Sequence, residues 1–267
     1  MTIATPNCGD TAIQSSTIKA VIFDLDGTLL DTEALSCRAV IESFAICSLI
    51  IPEEILGKLR DGGNLLPWDL KRRILGLRGS EWVPIVLSYA QENWRVDVPS
   101  SCQDDGLVHK FWRAWEERLN ELCAEVEACP GAPELVQALA AARVPLAIAT
   151  SSRAASVKQK RCKHEKMFQS FQEIVTGDDP NVLNGKPAPD IYLEAAKRLG
   201  VHPSECLVFE DAVPGAQSGK AAGCNVVAVP DSRIEKTAFR RYSDEIIDDL
   251  GQFHRVNKWG IPLERIE

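Results

Sequence analysis

The sequence predicts an α/β protein, with a Rossmann-like parallel β-sheet flanked by helices and an all-helical segment inserted after the first strand. Short apolar runs alternate with helical stretches in the second half of the chain, an order typical of parallel sheets. One further apolar run lies near the start, and residues 33–128 after it show helical periodicity throughout. The runs are Val21–Leu25, Val144–Thr150, Glu173–Thr176, Cys206–Glu210 and Asn225–Val229.

Helices are predicted in both parts of the chain. In the inserted segment they cover Glu33–Cys47, Pro67–Leu77, Glu81–Arg95 and Leu107–Glu127. In the sheet region they cover Ala132–Ala142, Ala154–Lys163, Pro189–Leu199 and Pro214–Ala222. The last two end at Gly200 and Gly223, since glycine readily adopts the left-handed conformation that closes a helix. The predicted parts are a disordered tail (1–17), an α/β core (18–31 and 129–267) and a helical cap (32–128).

Composition argues against several classes of function. The 267 residues are 45% hydrophobic, enough to fill an α/β core and a smaller second unit. The net charge of −8, without a concentrated Lys/Arg block, argues against a nucleic-acid partner, and no apolar run is long enough for a membrane span. Nine cysteines without a C-x-x-C pair, and no signal or transit peptide, predict reduced thiols in a cytoplasmic protein. A monomer is the simplest expectation.

Two carboxylates stand at the end of the first predicted strand, where open parallel sheets bind their ligands. Asp24 and Asp26 lie at or just past this end, and Gly27 breaks the strand. Ionised carboxylates beside apolar residues are costly unless a cation compensates them, so a divalent metal and a reacting phosphate would explain the pair. Ordinary turn chemistry is the alternative for Asp-x-Asp-Gly taken alone.

Three further segments supply the remaining groups of a phosphate site. Thr150 and Ser151 end a strand with hydroxyl and N–H groups that suit phosphate oxygens. Lys186 precedes a proline-initiated helix and offers a cation for a carboxylate and a bound phosphate. Glu210 and Asp211 end another strand with oxygen ligands for Mg²⁺. Taken alone, the lysine would be a solvated loop residue and the acidic pair a helix cap.

These segments resemble the four motifs of the haloacid dehalogenase superfamily of phosphotransferases. The motifs are Asp24-x-Asp26-x-Thr28, Thr150, Lys186 and Glu210-Asp211, and the inserted segment falls where that family places a helical cap. Longer stretches are similar to its eukaryotic pseudouridine-5′-phosphatase and glycerol-phosphatase group, namely residues 149–152, 177–180, 186–190, 207–212 and 227–231. The resemblance implies a Mg²⁺-dependent phosphatase that acts on a small phosphorylated metabolite.

The resemblance also implies a role for each motif residue. Asp24 is expected to attack phosphorus, and Asp26 to act first as acid and then as base. The residues expected around the phosphate are Thr150, Ser151, Lys186, Gly27 and Thr28. The expected Mg²⁺ ligands are Asp24, the backbone carbonyl of Asp26, Asp211 and Glu210, the last directly or through water.

Other functions on the same scaffold stay open at this point. A sugar phosphomutase shares the core, but mutases of the superfamily usually carry a histidine in the region where Ser36 stands. A non-catalytic binding protein would usually lack the nucleophile or a metal ligand, and this chain keeps them. Dehalogenation is disfavoured because that branch needs no leaving-group acid, whereas Asp26 is present.

The choice of substrate is expected to depend on the cap, where the sequence is less informative. Five of the six tryptophans lie in the cap, at spacings that predict packing in its core. They are Trp68, Trp82, Trp94, Trp112 and Trp115. The alternative for one of them is a position that faces the substrate cleft. Lys71-Arg72-Arg73 is expected to be a solvated helix face. The segment 81–106 is longer than the resembling group requires, so pseudouridine 5′-phosphate, glycerol phosphate, sugar phosphates and nucleotides all stay open.

Overall fold

One six-stranded sheet forms the centre of the protein. A computed structural model describes residues 17–61, 66–74, 79–99, 105–253 and 258–261. The strands are β1 (Ala20–Phe23), β2 (Leu146–Ala149), β3 (Glu173–Val175), β4 (Cys206–Glu210), β5 (Asn225–Ala228) and β6 (Glu245–Ile246). They are all parallel, in the order β3-β2-β1-β4-β5-β6. The fold class predicted from the sequence is confirmed, while the predicted tail lies outside the described residues except for Thr17.

Strand β1 lies in the middle of the sheet because it is apolar on both faces. All four of its residues are fully buried. Val21 lies beside Leu146 of β2 on one side and beside Leu207 of β4 on the other. The end of β1, and with it Asp24, is therefore placed between the ends of β2 and β4.

A helical insertion follows β1 and has a hydrophobic core of its own. Its helices are α1 (Thr32–Ile46), α2 (Glu53–Asp61), α3 (Trp68–Ile74), α4 (Gly79–Asn93) and α5 (Asp105–Leu122). Phe44 packs against Trp94 and Phe111, with ring centroids 5.8 and 4.9 Å apart. Trp82 is also buried in this core, so packing was the correct prediction for these two tryptophans. None of the described helices of the protein has the length and apolarity for a membrane span.

The remaining helices cover the two faces of the sheet. They are α6 (Ala132–Ala141), α7 (Ala154–Arg161), α8 (Glu165–Phe168), α9 (Asp190–Leu199) and α10 (Val213–Ala221). Val21 and Phe23 belong to the hydrophobic cluster that contains α6 and α8, and Ala20 and Ile22 to the one that contains α9. The alternation of side chains along β1 therefore supplies both faces of the core.

The structure departs from the sequence prediction at a few elements. Helices α2 and α8 and the two-residue strand β6 were not predicted, and α5 ends at Leu122 instead of continuing to residue 127. After α5 the chain returns to the start of the insertion. There the Asp31 N–H donates to the Glu127 carbonyl at 2.9 Å, and Leu30 forms an antiparallel bridge with Ala128. The two connections between core and insertion thus lie side by side. The division into separate core and cap domains stays a prediction.

Candidate active site

The carboxyl ends of three neighbouring strands bring most of the predicted site residues to one edge of the sheet. Asp24 follows β1, Thr150 follows β2, and Glu210 and Asp211 lie at the end of β4. Because these strands are adjacent and parallel, their ends meet at the same edge. Lys186 reaches this edge from the loop before α9.

Lys186 joins two of these carboxylates. Its Nζ donates to Asp24 Oδ1 at 2.6 Å, to Glu210 Oε1 at 2.6 Å and to the Ala149 carbonyl at 3.1 Å. Burial alone would lower the pKa of the ammonium group, but the charges of Asp24 and Glu210 raise it above its usual value. The lysine is therefore a permanently charged group fixed against the expected nucleophile.

The pKa of Asp24 is set by burial and by the charged groups around it. Burial raises the pKa of its carboxyl group, while the ammonium of Lys186 lowers it. The carboxylates of Glu210 and Asp26 raise the pKa again, and it lies at about 7. A positive charge added at this site would favour the ionised form that a nucleophile needs.

Asp24, Glu210 and Asp211 form a cluster that suits a hard cation. A carboxylate oxygen from each of the three lies within 4.8 Å of the others. Burial, and then the charges of its two neighbours, raise the pKa of Asp211 well above its usual value. Gly27, with φ of +89°, leaves space for the Asp211 side chain, because a β-carbon at Gly27 would collide with that carboxylate. The residues present therefore fit the expected Mg²⁺.

Asp26 lies in a separate network. Its Oδ1 accepts a hydrogen bond from Lys160 Nζ at 2.5 Å, and its Oδ2 accepts one from Ser152 Oγ at 2.7 Å. Thr150 Oγ1 also donates to Oδ2, at 3.4 Å. Burial alone would raise the pKa of Asp26, but the charge and hydrogen bond of Lys160 and the hydrogen bond of Ser152 lower it. The two aspartates of the first motif thus have opposite pKa shifts.

The residues expected around the phosphate differ in their surroundings. Thr150 is fully buried, and its Oγ1 accepts a hydrogen bond from Ser152 N at 3.1 Å. Ser151 beside it is exposed. The Thr28 hydroxyl is buried and has no hydrogen-bond partner among the described residues. Their contact with phosphate stays a prediction.

Comparison with known proteins identifies the family. The sequence model of the haloacid dehalogenase-like hydrolases matches residues 18–223. The chain belongs to this family. The resemblance inferred from the four motifs is therefore confirmed, and the protein is a hydrolase.

Individual relatives resemble the hydrolase over most of its length. (DL)-glycerol-3-phosphatase 2 of Arabidopsis thaliana is 34% identical over 248 residues, which cover 92% of each chain. A probable pseudouridine-5′-phosphatase of Drosophila melanogaster is 34% identical over 246 residues, or 90% of this chain and 93% of the relative. The phosphate complex of CbbY from Rhodobacter sphaeroides superimposes with a TM-score of 0.65 at 27% identity, covering 88% of this chain and 96% of that one.

Two residues of the hydrolase's site were missed by sequence reasoning. Lys160 in α7 contacts Asp26, and Tyr192 in α9 donates its hydroxyl hydrogen to Glu210 Oε1 at 2.7 Å. Both lie on helices, whereas most of the sequence motifs stand at the ends of strands. The sequence of α7 offers no clear signal for Lys160, because Val157 is the single large apolar residue of that helix.

A cavity of about 520 Å³ lies beside the acidic cluster, between the sheet and the insertion. Its lining includes Asp211, Gly27 and Thr28 from the candidate site, together with Trp68 and Arg233. The Arg233 guanidinium lies 4.7 Å from the centre of the Trp68 ring, so the insertion and the loop after β5 touch here. Trp68 is therefore a tryptophan of the insertion that lines this cavity.

The prediction of a solvated Lys71 is wrong. Its side chain is 8% exposed, and Nζ lies 2.6 Å from Glu33 Oε1. This pair joins α3 to the first turn of α1, and Glu33 lines the cavity. Burying the ammonium is tolerated because Glu33 compensates its charge. Arg72 and Arg73 are exposed, as expected.

Proposed function

We propose that this hydrolase is a Mg²⁺-dependent phosphatase of small phosphomonoesters. The observation that carries the proposal is the contact of Lys186 with Asp24 and Glu210, 2.6 Å from each, beside the Asp211 carboxylate. A carboxylate nucleophile, a fixed cation and a metal site are the groups that attack on an anionic phosphoryl group requires. Relatives named as phosphatases of glycerol 3-phosphate and of pseudouridine 5′-phosphate support this reaction class.

The proposed reaction has two steps, both centred on phosphorus. In the first, an Asp24 oxygen bonds to phosphorus, the ester P–O bond breaks, and an aspartyl phosphate forms. A protonated Asp26 gives its proton to the departing oxygen; because Lys160 and Ser152 favour the ionised form in the free protein, Asp26 must take up this proton when the anionic substrate binds. In the second, Asp26 takes a proton from water, whose oxygen attacks phosphorus and releases inorganic phosphate and Asp24. Such proton transfers typically contribute about 10²–10⁴ in rate.

The chain's own charges would hold the phosphoryl group in place. Lys186 would supply a positive charge beside the phosphoryl oxygens, because its three N–H groups already donate to Asp24, Glu210 and the Ala149 carbonyl. Thr150 and Ser151 offer hydroxyl and N–H groups. Fixed donors of this kind need little rearrangement as charge develops, which makes them effective in a largely buried site. The proposal places Gly27 and Thr28 at the edge of the same pocket.

The acidic cluster would hold Mg²⁺. We assign Asp24 and Asp211 as carboxylate ligands, with the backbone carbonyl of Asp26. Glu210 already accepts hydrogen bonds on both oxygens, from Lys186 and Tyr192 on one and from Ala212 N on the other. It therefore acts through water and through Lys186. When bound, the cation offsets the repulsion between a carboxylate nucleophile and the phosphate.

The helical insertion is proposed to act as a cap that selects the substrate. It meets the sheet beside the site, at the cavity that Trp68 and Arg233 line. A cap that closes over the site would exclude bulk water and large substrates. The proposed substrates are pseudouridine 5′-phosphate, glycerol phosphate or a sugar phosphate. That the protein is cytoplasmic and monomeric stays a prediction.

Phosphate release from a substrate panel tests this proposal. The panel contains pseudouridine 5′-phosphate, glycerol 3-phosphate, 2-deoxyglucose 6-phosphate and β-glucose 1-phosphate, each with Mg²⁺ and with chelator. We expect release that depends on Mg²⁺, with one preferred substrate. Because a mutase would need a bisphosphate activator and return the phosphoryl group to its product, isomerisation without free phosphate would contradict the proposal. So would the absence of release from a folded, Mg²⁺-loaded protein.

A further inference from the structure

The carboxylate of Asp26 is held by a lysine that no sequence motif includes. Lys160 Nζ donates to Asp26 Oδ1 at 2.5 Å and to Ser152 Oγ at 2.8 Å. Ser152 Oγ in turn donates to Asp26 Oδ2 at 2.7 Å. Lys160 and Ser152 therefore each hold one of the two carboxylate oxygens of Asp26.

The burial of Lys160 indicates that this contact is more than a surface ion pair. The lysine side chain is 3% exposed, while that of Asp26 is 30% exposed. A buried ammonium is costly unless an opposite charge compensates it, and Asp26 is the carboxylate that pairs with Lys160 among the described residues. Lys158 on the same helix is exposed and illustrates the ordinary environment of a lysine in α7.

We infer that Lys160 is a positioning residue for the acid–base step, holding the Asp26 carboxyl group where it meets the leaving-group oxygen. This inference rests on the proposed phosphatase function. An aspartate side chain rotates about two single bonds, and a proton transfer requires hydrogen-bond distance to the reacting oxygen. A displacement of about 1 Å in a catalytic group can cost about 100-fold in rate. Lys160 itself neither gains nor loses a proton in the reaction.

The leaving group gives this role a distinct kinetic signature. The oxygen of an alcohol must be protonated as it departs, whereas p-nitrophenolate departs with little help. The value of kcat/KM covers the steps up to departure of the alcohol, so it reports acid catalysis separately from hydrolysis of the phosphoenzyme. A lysine needed for folding alone would affect both substrates equally.

The test compares Lys160→Met, Lys160→Arg and the matched control Lys158→Met. The substrates are p-nitrophenyl phosphate and the faster of glycerol 3-phosphate and pseudouridine 5′-phosphate. We expect Lys160→Met to lower kcat/KM for the alcohol ester by about 10- to 100-fold and that for p-nitrophenyl phosphate by less than about 3-fold. Lys160→Arg should recover part of the loss, because it keeps the charge. Lys158→Met should match the wild type.

A double-mutant cycle shows whether Lys160 acts through Asp26. In an Asp26→Asn background, adding Lys160→Met should change kcat/KM for the alcohol ester by less than about 2-fold, since the group that it positions is already disabled. Equal losses on the two substrates, no loss, or a full further loss in the Asp26→Asn background would each overturn the inference and leave the phosphatase proposal standing. A wild-type protein that releases no phosphate would overturn both. Should Lys160→Met fail to fold, the same comparisons with Lys160→Arg decide the question.

Discussion

Lys186 Nζ lies 2.6 Å from Asp24 Oδ1, and the two side chains are each 8% exposed. The lysine therefore compensates the buried charge of the expected nucleophile before any substrate binds. Its second carboxylate, Glu210, accepts a further hydrogen bond from Tyr192. Two carboxylates and a phenol thus define the position of one ammonium group.

Replacing the nucleophile should abolish turnover and preserve the fold. Asp24→Asn keeps the shape of the side chain but removes the oxygen nucleophile, so phosphate release should fall by at least about 10³-fold. Circular dichroism and thermal melting should show an intact protein. Wild-type hydrolysis of p-nitrophenyl phosphate by this variant would show that another group attacks phosphorus.

Tyr192 should contribute to stability through its hydrogen bond to Glu210. Tyr192→Phe removes a buried hydrogen bond to a carboxylate, and we expect a loss of about 1–2 kcal/mol in the free energy of unfolding. Tyr89→Phe is the matched control, because its hydroxyl makes only a long 3.4 Å hydrogen bond with Asp69 in an exposed position. Urea denaturation measures the difference. Equal stabilities for the two variants would show that the Glu210 contact adds nothing.

Stability of the metal-free protein should fall as the pH rises. The folded-state pKa of Asp24 is about 7, above its ordinary 3.8, so protonation of this group favours the folded state. That contribution is fully present below about pH 4 and is lost as the pH passes through about 7. Asp24→Asn lacks it, and its melting temperature should decline less between about pH 5 and pH 8.

Mg²⁺ should reverse this loss, because the metal binds the ionised carboxylates. The rise in melting temperature on addition of Mg²⁺ should therefore be larger at about pH 8 than at about pH 5. A rise independent of pH, or one that Asp24→Asn retains in full, would count against the proposed metal site.

Gly27 should not tolerate a side chain. Gly27→Ala would place a β-carbon against the Asp211 carboxylate at a φ of +89°, so both stability and activity should drop. Gly57→Ala is the control: it lies in α2 with no atom within 4 Å of the added carbon. That change should stabilise the protein by about 0.5–1 kcal/mol, since alanine favours a helix. Thermal melting of both variants and phosphate release by Gly27→Ala check these expectations.

The ion pair between Lys71 and Glu33 in the insertion should contribute to stability. Lys71→Met leaves the partly exposed Glu33 without its partner, and we expect a loss of about 1–3 kcal/mol in the free energy of unfolding. Arg72→Met, one residue further along α3 and exposed, should change it by less than about 0.5 kcal/mol. Urea denaturation separates the two outcomes, and a loss for Arg72→Met as large as that for Lys71→Met would contradict this assignment.

The sequence predicted the groups that strands position, and failed where helices position them. Asp24, Thr150 and Glu210 stand at the ends of apolar runs, and adjacency of parallel strands brings such ends together. Lys160 and Tyr192 reach the site from α7 and α9, and their approach depends on how those helices pack on the sheet. No local pattern encodes that packing.

In the helical insertion, too, the sequence did not predict a contact that depends on how the helices pack. Periodicity predicted α1 and α4 well, but Lys71 lies in a run of three basic residues that reads as a solvated face. Its burial is a consequence of Glu33, 38 positions earlier in the chain, which compensates its charge from another helix. Strand β6 escaped prediction because two residues are too short for a periodic pattern.

Asp24 is proposed to carry the phosphoryl group during turnover. The decisive experiment mixes Mg²⁺-loaded protein with its preferred substrate, quenches the reaction in acid within milliseconds, and examines the peptide that contains residue 24 by mass spectrometry. We expect an added mass of about 80 Da on Asp24, formed within one turnover and lost as free phosphate appears. Phosphate release with no labelled peptide at any time, or with the label on another residue, would contradict it.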